Sequence, residues 1–133
     1  MDDLVQWLRA QLDEDLRIAE AATGHHWDVC DETTPYLIHD VDAYRVNRTL
    51  DSTVGRVAVA EAAEDRSHIA EHDPARVLRE VDAKRRLLYQ FEHRGNSVRA
   101  TAGLWDGGVW DDMLRLLALP YADRPGYRPE WRP

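Results

Sequence analysis

Asp65-Arg66-Ser67-His68-Ile69-Ala70-Glu71-His72-Asp73-Pro74-Ala75-Arg76 is the stretch of this chain best equipped for chemistry. His68 and His72 are four apart, so on a helix both imidazoles project from one face. Two histidines at that spacing supply half of a tetrahedral zinc site. Asp65, one turn before His68, and Asp73, next to His72, could add an oxygen ligand or orient an imidazole through its second nitrogen. Water on zinc or another divalent metal held there would be a hydrolytic nucleophile. The zincin pattern places glutamate directly after the first histidine, and Ile69 stands at that position. Further ligands would have to come from His25, His26, His39, His93 or Cys30, and spacing does not select among them. The architectural alternative has His68 packed beneath a sheet and His72 capping a helix or facing water. The lack of a recognised zinc spacing favours that alternative.

Other candidate residues divide the same way. Cys30 could be a nucleophile with a histidine base. Its neighbours Asp28 and Asp31 are the wrong sign for a stabilised thiolate, so a small buried hydrophobe fits better. His25-His26-Trp27 could line a pocket mouth, but a tryptophan at a strand start is more simply a packing anchor. Arg76, Arg79, Lys84, Arg85 and Arg86 make a basic stretch, with Arg76, Arg79 and Arg86 the candidate nucleic-acid contacts. Glu80→Lys84 and Asp82→Arg86 have i,i+4 spacing, which predicts a self-paired, solvated face instead. Tyr121, Tyr127 and Trp131 sit among prolines and could bind a partner or a second copy. They could equally clamp back over the chain's own helices, which keeps their apolar surface out of water. Asp111-Asp112 are adjacent, so on a helix they point apart. No glycine-rich phosphate loop, nucleophile elbow or cysteine-pair zinc motif is present.

Positioning these residues requires a helix, a small sheet and more helices. Leu4, Leu8, Leu12, Leu16 and Ala19 recur at helical spacing over residues 1–22, with Val5 and Ile18 widening the stripe and Gly24 as a stop. From 26 to 60 the period falls to two. Trp27/Val29, Tyr36–Ile38, Tyr44/Val46 and Val57/Val59 predict three to four strands in an antiparallel meander, separated by turn clusters at 31–35 and 51–53. Residues 61–92 predict two helices joined at Asp73-Pro74. Ala62, Ala63, Ile69 and Ala70 face inward on the first. Val77, Leu78, Val81, Leu88 and Phe91 face inward on the second. Proline disfavours helical geometry at Asp73, which can then cap the next helix with Pro74 at its first position. Gly95, Gly103, Gly107 and Gly108 predict a loop over 93–108. A short helix follows over 109–119, and the proline-rich segment 120–133 predicts an extended tail.

Composition bounds the function classes. The 133 residues fit one domain and suffice for a core without staples. The single cysteine excludes an internal disulfide and suits a reducing, cytoplasmic setting. There is neither a signal-peptide pattern nor a membrane-length apolar run. The net charge of −8 is uneven: residues 1–32 carry −7, 33–73 carry −4, and 74–133 carry +3. The acidic front half opposes a broad grip on a phosphate backbone. Lys84 is the one basic residue that is not arginine, a bias that fits a high-GC genome.

Several stretches together resemble an actinobacterial and actinophage family of small proteins of unknown function. They are Leu4–Leu8 with Leu12–Asp15, Ala22-Thr23-Gly24 with Trp27, His68–Val81, and Leu114–Asp123. The similarity spans residues 3–131 with a variable middle. His25-His26 depart from the pattern after the glycine. The resemblance implies an accessory protein and supplies no catalytic residue. The sequence therefore predicts an α+β fold, with a small antiparallel sheet against an N-terminal helix and two to three C-terminal helices. It favours a non-enzymatic cytoplasmic protein that binds a protein partner. Zinc-type metal binding or hydrolysis at His68/His72 is the alternative, and nucleic-acid binding through the basic helix the second.

Overall fold

A computed structural model describes residues 2–29, 37–43, 55–101 and 108–133, with the backbone alone over 94–101. The fold is α+β and mostly helical. Helix α1 (Asp2–Ala21) leads into strands β1 (Trp27–Val29), β2 (Leu37–Asp40) and β3 (Arg56–Val59). Helices α2 (Ala63–Glu71), α3 (Pro74–Thr101) and α4 (Gly108–Ala118) follow, and two 3₁₀ turns, Leu119–Tyr121 and Pro129–Trp131, close the chain. Where one domain is expected, the residues cluster into two compact units. One contains 1–15 and 81–133, the other 16–80.

The first unit is helical. Leu4, Leu8 and Leu12 are completely buried, and Val5, Val81, Leu88, Leu114, Ala118, Tyr121 and Trp131 complete its core. Asp2 and Asp3 lie in the first turn of α1, where carboxylates complement the helix dipole. Ile18, on the part of α1 that belongs to the second unit, does not widen the apolar stripe as expected; it is about half exposed.

The second unit holds the sheet, in the order β1-β2-β3 with both pairs antiparallel. Trp27 pairs with Asp40 and Val29 with Ile38; Ile38 pairs in turn with Ala58, and the register slips between Ile38 and His39. Helix α2 packs against β1 and β2. It buries no residue completely, and Ala62 and Ala63 are exposed rather than inward, while Ile69 and Ala70 are half-buried. Alanine at those positions offers little area to bury. Arg66 Nη1 donates to the carbonyls of Ala60 (2.8 Å) and Glu61 (2.6 Å).

Asp40 is the one buried charged residue among those described. Its Oδ1 accepts from the Asp42 amide (3.1 Å), and its own amide donates to Gly55 O (2.8 Å). Gly24 and Gly55 both have positive φ, +65° and +74°. A side chain at Gly24 would overlap the Asp40 carboxylate, so glycine is needed there for space as well as for φ.

Two expectations are corrected. The predicted loop over 93–108 is helical as far as Thr101, and Gly108 already opens α4. One glycine inside a helix costs about 1 kcal/mol, too little to stop a long helix from propagating through Gly95. The tail is not extended. Pro120 and Pro129 sit at the starts of 3₁₀ turns, where the missing N–H costs nothing, and Arg124 N→Tyr121 O and Tyr127 N→Arg124 O continue the turning. The strand expected at Tyr44/Val46, both turn clusters, Tyr36, Cys30, Gly103 and Gly107 lie outside the described residues.

Leu8→Ala should lower unfolding free energy by about 2–5 kcal/mol, the range for a fully buried leucine. Ile18→Ala should stay within about 0.5 kcal/mol, as at an exposed position. Denaturant titration of both variants checks the contrast; equal losses would contradict the placement of the α1 face.

Candidate functional site

The helix joint forms as its residue types require. Asp73 Oδ1 accepts from the Arg76 amide (2.7 Å), the capping geometry that ends one helix and begins the next at Pro74. The His68 and His72 rings lie 4.2 Å apart, centroid to centroid. His72 Nδ1 contacts His68 O at 2.8 Å. A carbonyl only accepts, so Nδ1 is the donor in this contact. Both histidines are exposed, as is Asp65. The remaining described histidines make other contacts. His25 O accepts from Ala75 N (2.9 Å), and His26 pairs with Asp42 at 3.5 Å. His39 lies in β2, and His93 stacks on Tyr89 (3.8 Å). Among the described residues, no group of three or more histidine, cysteine, aspartate or glutamate side chains could hold a metal ion. Trp27 is half-buried, and its indole donates to Thr23 O (2.9 Å).

The basic stretch of α3 is largely paired. Arg76 meets Glu80 (3.0 Å) and Arg86 meets Asp82 (2.9 Å), both at i,i+4. The expected Glu80–Lys84 pair is replaced: Glu80 takes Arg76, and Lys84 donates to the Tyr121 hydroxyl (3.2 Å). Arg85 bonds Asp13. Arg79 is exposed.

The tail aromatics fold back within the first unit. Tyr121 and Trp131 are buried. The Tyr121 hydroxyl donates to Asp15 Oδ2 (2.8 Å), and Arg124 donates to Asp15 Oδ1 (2.6 Å) while lying over the Tyr121 ring. Trp7 packs against Tyr127 (5.5 Å) and Trp131 (5.4 Å), and its indole donates to Pro125 O (3.1 Å). Gly126, at φ +86°, leaves room for that indole; a Cβ there would stand 2.9 Å from Trp7 Nε1. These three aromatics therefore form a clamp onto their own chain.

The tail leaves one face of α4 uncovered. Leu114 and Ala118 point into the core, while Val109, Leu116 and Leu119 are 53%, 56% and 45% exposed. At 100° per residue, Val109, Asp112, Met113, Leu116 and Leu119 share the side opposite Leu114 and Ala118. Sequence reasoning missed this face. The run Leu114-Arg115-Leu116-Leu117-Ala118-Leu119 contains more apolar residues than one inward stripe can take, and that excess was the available signal. Arg115 flanks the stripe and donates to the carbonyls of Glu130 (2.9 Å) and Arg132 (3.2 Å).

A family model described as a family of unknown function, DUF6221, matches residues 1–133. The chain belongs to that family. No curated protein and no solved structure matches it. Membership in DUF6221 takes in every element described above, from α1 to the closing turn, and brings no assigned activity.

Tyr121→Phe should cost about 1–3 kcal/mol, because it leaves Asp15 short of a donor in a partly buried site. Gly126→Ala should also destabilise, by more than about 1 kcal/mol, through positive φ and the Trp7 contact. Melting curves with matched near-ultraviolet circular dichroism would report both. Wild-type stability in either variant would contradict the clamp.

Proposed function

We propose that this chain is a non-enzymatic interaction protein whose contact face is the outer side of α4. The observation that carries this reading is the exposure of Val109, Leu116 and Leu119 along one helix face. Large apolar residues gathered on one helix face mean more than scattered ones, because apolar patches in water mark binding sites. The tail aromatics are already engaged within the chain, which moves the contact face from the tail to α4. The acidic N-terminal helix is a poorer candidate. Asp3, Asp13 and Asp15 each meet an arginine of the first unit. The paired arginines of α3 likewise argue against nucleic acid as the ligand. The single cysteine supports work in a reducing compartment. No described helix is long and apolar enough to cross a membrane.

A photo-crosslinking residue in place of Leu116 tests the contact face in cells. An adduct that forms at 116 and not at exposed Arg79 is expected. No adduct of any kind at 116 would overturn the reading.

The closeness of the His68 and His72 rings favours a second reading, a two-imidazole grip on a zinc-type ion. Water or a partner's side chain would complete the coordination. Calorimetric titration with zinc should show one site per chain that His68→Ala/His72→Ala removes. An unchanged isotherm in the double variant would end this reading.

A further inference from the structure

We infer that the occupant of the α4 face is a second copy of this chain, packed antiparallel about a two-fold axis crossing α4 near residue 114. The inference rests on the contact-face reading above and adds the identity of the partner. Charge complementarity carries it. Asp112 is exposed on the apolar stripe, and Arg115 flanks it one turn later. Among the described residues neither is in an ion pair, and the Arg115 guanidinium bonds the neutral carbonyls of Glu130 and Arg132.

An antiparallel two-fold keeps the same flank of both helices on the same side. It therefore sets Asp112 of one copy near Arg115 of the other, and the reverse contact follows by symmetry. The same operation brings Val109 of one copy to Leu119 of the other. Met113 and Leu116 lie on either side of the axis. The stripe is thus complementary to itself in both apolar pattern and charge, as an isologous interface requires. An anionic membrane surface fits less well, because the chain carries −8 and one half-buried arginine cannot offset that. A strongly basic partner would answer Asp112 but meet Arg115 with like charge.

Sedimentation equilibrium on purified, untagged protein tests the inference. The wild-type chain should show a two-chain mass in the micromolar range. Leu116→Glu should weaken association by about tenfold or more, as expected for a buried interface anchor. Asp112→Arg should also weaken it, and Asp112→Arg/Arg115→Asp should restore it. Circular dichroism on each variant confirms folding. Because Arg115 also holds the tail, a second measurement avoids changing charge: photo-crosslinking at position 116 in the purified protein, with the adduct mapped by peptide mass. A crosslink from 116 to the 108–119 segment of another copy supports the inference. A one-chain mass throughout, a dimer indifferent to Leu116→Glu, or no self-adduct would overturn it. An adduct with a different protein in cells, without a self-adduct in purified protein, would overturn the second copy and leave the contact face standing.

Discussion

Asp15 gathers distant parts of the chain at one carboxylate. Its oxygens take the Tyr121 hydroxyl and the Arg124 guanidinium, and Lys84 donates to that same hydroxyl from α3. The Asp15 side chain is 17% exposed, too dry to rely on water and therefore dependent on these donors. Its geometric consequence exceeds its energy. Holding Tyr121 fixes the 3₁₀ turn that follows α4, and so fixes which side of α4 faces inward. Leu114 and Ala118 go to the core, and Leu116 and Leu119 are left outside.

The uneven charge of the sequence finds its use inside the first unit. Arg128 reaches Asp3, Arg85 reaches Asp13, Arg124 reaches Asp15, and Arg9 reaches Glu92. In three of these pairs an acid of α1 meets an arginine from later in the chain, and in the fourth Arg9 of α1 meets Glu92. Exposed pairs of this kind contribute little stability one by one. Arranged along a single helix, they set the register in which the C-terminal segments return. Trp7 reinforces that register through Pro125 O, Tyr127 and Trp131.

Much of this architecture was legible in the residues, for physical reasons. Leu4, Leu8 and Leu12 announce a buried stripe by spacing alone, and Asp73-Pro74 dictates a helix end and a new cap. The strands at Trp27 and Val57 follow from period-two alternation. Other features depend on distant partners and left no local trace. Nothing near Asp40 shows that it will be buried between two glycines of positive φ, and nothing near Tyr121 points to Asp15 more than a hundred residues earlier. Glycine count overstated the break after Glu92, and proline count overstated the extension of the tail, because both residues are tolerated at particular helical and turn positions. The chemistry-bearing histidines were easy to see, and among the described residues His68 and His72 pair without a third ligand beside them. The face of α4 was harder to see, since its signal was an excess of leucine rather than a motif.

The most direct test of this account is an isotope-filtered NOE experiment on a mixture of methyl-labelled and unlabelled protein. It reports only contacts between copies. The account predicts intermolecular NOEs from the Val109 methyls to those of Leu119, and from Leu116 across the α4 axis. A mixture with no intermolecular NOEs, or with NOEs only from residues outside α4, would contradict it.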